Sequence, residues 1–174
     1  MDTATNANHI TMFSAIILAS LLGFSPFAAA TLSLKPWEIS HLGTFSPSGR
    51  PGSSPYSVIN ITISDPNDAS VSPATCVGKW TFEEPPYGKI NDCSDVPGGQ
   101  WTFVMLESDG QNPSPTTDFK LRFDLKKKKK VRFVGVEKFV VGENLSGLCS
   151  ASGVCSFGLK EEKTPFPVQQ ARVH

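Results

Sequence analysis

Asp118 to Leu125 reads Asp-Phe-Lys-Leu-Arg-Phe-Asp-Leu, in which Phe119, Leu121, Phe123 and Leu125 alternate with Lys120, Arg122 and Asp124. A period of two puts the apolar side chains on one face and the charged ones on the other, the pattern of a half-buried strand. The same pattern recurs outward in both directions. Tyr56 to Ile63 places Ile59, Ile61 and Ile63 opposite Asn60 and Thr62. Trp80-Thr81-Phe82 and Trp101 to Met105 alternate aromatic residues, Val131 to Val141 is rich in β-formers, and Cys155, Phe157 and Leu159 alternate near the end. Turn signals separate these runs: Ser-Pro-Ser-Gly at 46–49, Asp-Pro-Asn at 65–67, Pro-Gly-Gly at 97–99 and Pro-Ser-Pro at 113–115. No good amphipathic helix follows residue 30. The expected fold is all-β, a compact antiparallel β-barrel or sandwich.

Composition agrees. The chain has 174 residues, 39% hydrophobic, with 14 Gly and 14 Pro, a turn-rich globular profile rather than a disordered one. Sixteen basic residues balance sixteen acidic ones, so there is no general electrostatic reason to expect a nucleic-acid partner.

Met12 to Phe24 is an apolar run of signal-peptide length, too short to span a bilayer. Pro26 and the small residues Ala28, Ala29 and Ala30 follow it. The expectation is a signal peptide over residues 1–30, cleaved after Ala30, with either Met1 or Met12 as the true start. Residues 31–174 then form a single secreted β domain with loose ends at 31–35 and 163–174 and no membrane anchor. Removing Asp2 leaves the mature chain one positive charge above neutrality.

Cys76, Cys93, Cys149 and Cys155 all lie in that mature part. An even number in a secreted chain argues for two disulfides. Three pairings exist; the sequential one, Cys76–Cys93 with Cys149–Cys155, needs the least chain rearrangement and is preferred. Zinc is the rival, but neither spacing matches a zinc finger and histidine is scarce, so no metal or cofactor is expected. Asn60-Ile61-Thr62 and Asn144-Leu145-Ser146 are N-glycosylation sequons; at Asn60 and Asn144 a sugar and a plain surface asparagine are both open.

Little supports catalysis. Of the histidines His9, His41 and His174, only His41 falls within the expected strands. No nucleophile elbow, zincin helix or phosphate loop is found. Glu83, Glu84, Asp92 and Asp95 could supply a glycosidase pair, but sequence does not place two of them across a cleft. The sharpest charge feature is the run Lys126, Lys127, Lys128, Lys129 and Lys130. Its ammonium groups are expected to stay in solvent. The plainer reading, adopted here, is a solvated loop that protects an edge from aggregation; the alternative is an anionic lipid, glycan or phosphate partner. The aromatics Trp37, Trp80, Trp101, Phe45, Tyr56 and Tyr87 read mainly as core, with Tyr87, in Glu-Glu-Pro-Pro-Tyr-Gly, as the best exposed contact.

The order of features resembles one family. Trp37-Glu38-Ile39 follows the signal segment, then come the Tyr56–Ile63 strand, Cys76, a Trp80 strand, Cys93, the Trp101–Phe103 strand and the terminal Cys149/Cys155 pair. This resembles the Alternaria major-allergen-like family of small secreted fungal β-barrel proteins, over most of residues 36–160. The resemblance implies a β-barrel with Cys76 paired to Cys93 and Cys149 to Cys155. It also implies a non-enzymatic, effector-like or allergen-like protein, some members engaging plant defence proteins, so that the expected partner is a host defence protein or a small ligand. That allergen links its dimer through an additional N-terminal cysteine, and no cysteine precedes Cys76 here, so a covalent dimer is not carried over. The alternative class is a secreted carbohydrate-binding protein or glycoside hydrolase.

Overall fold

The computed structural model describes residues 34–127 and 130–173; the expected signal peptide, together with Lys128 and Lys129, lies outside them. Eleven strands follow in chain order: β1 (Trp37–Ser46), β2 (Ser57–Ser64), β3 (Ala74–Trp80), β4 (Ile90–Asp92), β5 (Gly99–Glu107), β6 (Asp118–Lys127), β7 (Arg132–Val140), β8 (Leu145–Cys149), β9 (Cys155–Leu159), β10 (Phe166–Val168) and β11 (Gln170–Val173). They form two antiparallel sheets, ordered β3-β2-β1-β9-β8, with β10 also on β1, and β11-β7-β6-β5-β4. The protein is all-β, as its alternations require. Among the described residues no helix is long and apolar enough to cross a membrane.

The deciding stretch behaves as its period dictates: Phe119, Leu121, Phe123 and Leu125 are wholly buried between the sheets. Ile59, Ile61 and Ile63 meet them from the other sheet, with Ala74, Cys76 and Trp80 alongside. β1 keeps its inner face by means of a bulge. Ile39 pairs with Ile63 and His41 with Thr62, so Ser40 is an extra residue. The buried positions step from Trp37 and Ile39 to Leu42 and Thr44. Trp37 and Trp101 meet edge to face with ring centroids 4.8 Å apart. Each large side chain so buried contributes roughly 2–3 kcal/mol.

Both disulfides, Cys76–Cys93 and Cys149–Cys155, are formed. The first fastens the β3 edge of one sheet to the β4 edge of the other. Ser94 N–H donating to Thr75 O (2.7 Å) and Thr75 N–H to Ser94 Oγ (3.0 Å) reinforce that seam.

The C-terminal stretch corrects the expectation of a loose end. Glu161–Lys163 forms a 3-10 turn, β10 pairs with Trp37–Ile39, and β11 crosses to pair with Arg132–Gly135 of the second sheet. Val168 is fully buried, and the Phe166 ring meets Phe139 at a tilt, with centroids 5.3 Å apart. The approach is close enough to demand glycine at position 135, where a Cβ would lie 2.7 Å from Gln169 O and 2.8 Å from Val168 Cγ1. At the other end of the domain Lys35 is held too. Its N–H donates to Asn67 Oδ1, and its carbonyl accepts from Asn67 Nδ2 and Gln170 Nε2, each at 2.8 Å.

Candidate functional site

Two surfaces stand out. The first lies at the end of the domain where β1 and β3 finish and β2 and β6 begin. Segments 46–57, 80–85 and 114–116 there enclose an open groove of about 960 Å³. Trp80 is buried against the groove, whereas Phe82 on its rim is 100% exposed. A large apolar side chain left wholly in water gains nothing for the fold, which makes it a contact candidate. The walls are stiffened locally. Thr44 Oγ donates to Thr116 O (2.9 Å), and Ser53 Oγ to Arg50 O (2.6 Å). Gly49 and Gly52 take left-handed conformations (φ 67° and 84°) that other residues adopt reluctantly. Proline and serine supply much of the remaining lining, and the aromatic Tyr56 beside it is 48% exposed.

Tyr87, expected as the exposed contact of this loop, is half-buried and packed against the core. Its backbone forms a strand-like bridge to Met105. Burial pushes its phenol pKa up, with Glu107 and Asp118 adding to the rise. Phe82, five residues earlier, is the exposed aromatic instead. The Trp-Thr-Phe alternation suggested a strand there, but β3 ends at Trp80 and Phe82 is left outside the sheet. The core reading holds for Trp37, Trp80 and Trp101 and fails for Phe45 and Tyr56, which are 38% and 48% exposed. Of the carboxylates, Glu83 lines the groove, Glu84 pairs with Lys89 at 3.3 Å, and Asp92 sits in β4 opposite Thr102.

The second surface is the outer face of β6 and β7, and it divides the lysine run. β6 extends through Lys127, so Lys126 continues the outward row of Lys120, Arg122 and Asp124. Lys127 continues the inward row of the core residues. Its Nζ lies 2.7 Å from Asp65 Oδ2 and 3.1 Å from Asp68 Oδ2, and its side chain is only 15% exposed. The expectation of five solvated ammoniums is therefore wrong at Lys127: two carboxylates compensate its burial. Burial alone would raise the Asp65 pKa and lower that of Lys127. The hydrogen-bonded ion pair outweighs both effects, holding Asp65 below and Lys127 above their usual values. Asp68 falls to about 2 through hydrogen bonds from Ser70 and then Lys127. Lys126 and Lys130 are exposed. On the outer face Asp124 is 3% exposed and accepts from Arg122 Nε (3.2 Å) and Arg132 Nε (2.6 Å), with Arg132 Nη2 also on it.

The two sequons differ. Asn60 is exposed in mid-strand, opposite Gly43 and Val77. Asn144 is engaged: its Oδ1 accepts from Val140 N–H and its Nδ2 donates to Lys138 O, both at 2.8 Å, which latches the turn between β7 and β8. Expression in a glycosylating eukaryotic host is expected to add one N-glycan, removed by Asn60→Gln and untouched by Asn144→Gln. The latter variant should instead lose about 1 kcal/mol of stability. An intact-mass shift that persists in Asn60→Gln would contradict this assignment.

Among the described residues no group of three or more His, Cys, Asp or Glu is placed to hold a metal ion. Compared with protein-family models, characterised proteins and solved structures, the chain gives no match in any of the three.

Proposed function

We propose that the chain is a secreted, non-enzymatic binding protein of the fungal effector-like or allergen-like kind, which engages an extracellular host defence protein through its loop-end groove. The observation that carries this reading is Phe82, fully exposed on the rim of a groove whose walls are pinned by hydrogen bonds and proline. Exposed aromatic anchors beside preformed grooves are where binding energy concentrates in protein interfaces. Two disulfides support an oxidising, extracellular setting.

The test is a paired capture from plant apoplastic fluid with wild-type protein and Phe82→Ala. The substitution removes no buried contact, so folding is expected to be unchanged. Proteins retained by the wild type should be lost from the variant, with affinity falling about tenfold or more. Identical retention by both proteins, or no specific retention by either, overturns the reading. The hydroxyl-rich lining and Glu83 favour a second reading, a carbohydrate-binding or glycoside-hydrolysing groove. A glycan array together with a polysaccharide hydrolysis screen of wild type and Glu83→Gln separates the two.

A further inference from the structure

We propose that the outer face of β6 and β7 is a second binding site, separate from the groove, for an anionic polysaccharide bearing carboxylate or sulfate groups. Arg122 and Lys126 project from β6 and Arg132 from β7, and the exposed Lys130 lies two residues before Arg132. Arg122, Lys130 and Arg132 line a shallow pocket of about 400 Å³ whose remaining walls are Val134 and Val173. Cations beside a small, flat apolar floor match the chemistry of an acidic sugar. The acid group meets a guanidinium or ammonium, and the C–H face of the ring lies on the valines.

Asp124 makes this site preorganised rather than merely basic. It is 3% exposed beneath the two arginines and is the only acid hydrogen-bonded to them among the described residues. The carboxylate takes both Nε–H groups and one Nη2 contact, while the arginine side chains remain 37% and 47% exposed. Their other N–H donors have no hydrogen-bond partner among the described residues and are held ready in a planar fork. Four cations therefore share this face with one buried carboxylate, which the two arginines contact, and the patch carries a surplus positive charge despite the neutrality of the chain. Lys127 takes no part, because Asp65 and Asp68 hold it on the opposite side of the strand.

The spacing suits an extended ligand. Alternate residues of a strand stand about 7 Å apart, so Arg122 and Lys126 lie about 13 Å apart along β6, with Arg132 beside Lys126 on the next strand. Lys130 holds a left-handed backbone conformation (φ 60°) that glycine or asparagine would adopt more readily. A nucleic acid is disfavoured because no aromatic side chain lines the pocket for bases to stack on. A membrane is disfavoured because the apolar contribution is flat: Val136 and Val173, 44% and 37% exposed, replace the large protruding side chains that enter lipid.

The experiment measures binding of the full chain to polygalacturonate and to heparin by calorimetry, at low salt and at about 0.5 M NaCl. Four proteins are compared: wild type, Lys126→Ser/Lys130→Ser, Arg122→Gln and Lys79→Ser. The double variant alters exposed side chains only, and Arg122→Gln leaves Arg132 on Asp124, so both should fold; Lys79, on the outward side of β3, is the control. Saturable binding to at least one polysaccharide is expected. It should weaken about tenfold in the double variant and in Arg122→Gln, stay unchanged in Lys79→Ser, and disappear at high salt. Absence of wild-type binding to both polysaccharides at low salt overturns the proposal. So does an equal loss in Lys79→Ser, or affinity undiminished in both the double variant and Arg122→Gln. Tighter binding to phosphatidylglycerol vesicles or single-stranded DNA than to either polysaccharide overturns it in favour of those partners.

Discussion

Lys127→Met is expected to cost about 3 kcal/mol of folding free energy at neutral pH, several times the loss from the exposed Lys126 or Lys130. Methionine keeps the stem that packs near Phe133, where the ammonium lies 5.3 Å from the ring centroid, so the loss reports mainly on charge. Asp65, with a 1% exposed side chain, would remain in place without its 2.7 Å partner. The pH dependence identifies the mechanism. In the wild type the depressed pKa values of Asp65 and Asp68 give stability that is present above their usual value of 3.8 and is lost as pH falls from there through the folded values. In the variant, burial acts on Asp65 without Lys127 to oppose it. Its carboxyl then titrates higher, and protonation relieves the unpaired charge. The gap between the two proteins should be widest at pH 7 and narrow as pH falls towards about 4. Adding Asp65→Asn to Lys127→Met should recover part of the loss at pH 7. Urea unfolding at several pH values checks both statements; a pH-independent gap, or none, removes the ion pair as the cause.

The same pair indicates what the sequence held and what it hid. The strands over 57–64 and 118–125 were plain because three or four apolar residues in phase leave one reading of the local pattern. Extending those phases by one step places Asp65 after Ile63 and Lys127 after Leu125, both on the inner side. The information was local, but the meaning of each residue was not: a buried charge is tolerable only with its partner, and these partners are 62 positions apart. The lysine run masked the phase further, since five identical residues carry no alternation. The tail failed for another reason. β10 and β11 have three and four residues and lie in different sheets, so no period can build up. Pro167 also reads as a breaker, yet it is tolerated there because β10 pairs with one strand only. Of the candidate surfaces, the arginines and lysines of the cationic face were visible as residues. The convergence of Arg122 and Arg132 on Asp124 required the register of β6 against β7. Phe82 was misread because its alternation with Trp80 continues past the end of β3.

Removal of the Cys76–Cys93 bridge, as Cys76→Ala/Cys93→Ala, is the second large effect expected, at about 3 kcal/mol for its 17-residue separation in the chain-entropy model. The same model gives about 2 kcal/mol for Cys149–Cys155, whose cysteines are six residues apart. Structure widens that difference. Cys149 and Cys155 are already cross-strand partners in the β8–β9 hairpin, which keeps its ladder without the bond. Cys76 and Cys93 join the edges of two sheets, where an isolated bridge and hydrogen bonds, Thr75 with Ser94 and Ser72 N–H to Pro97 O, take the place of a continuous ladder. Burial sets the order of reduction as well: Cys76 is wholly buried and Cys149 exposed, so limited thiol treatment should open the hairpin bond first. The segment enclosed by the first bridge contains Phe82 and Glu83 of the groove. Opening it should therefore loosen that wall and weaken groove-dependent binding, whereas the cationic face on β6 and β7 should keep its affinity. Urea denaturation of the two double variants and mass mapping after partial reduction provide the check. Equal losses of stability would mean that the seam between the sheets is held by packing rather than by the bond, and earlier reduction of Cys76–Cys93 would contradict the order that burial sets.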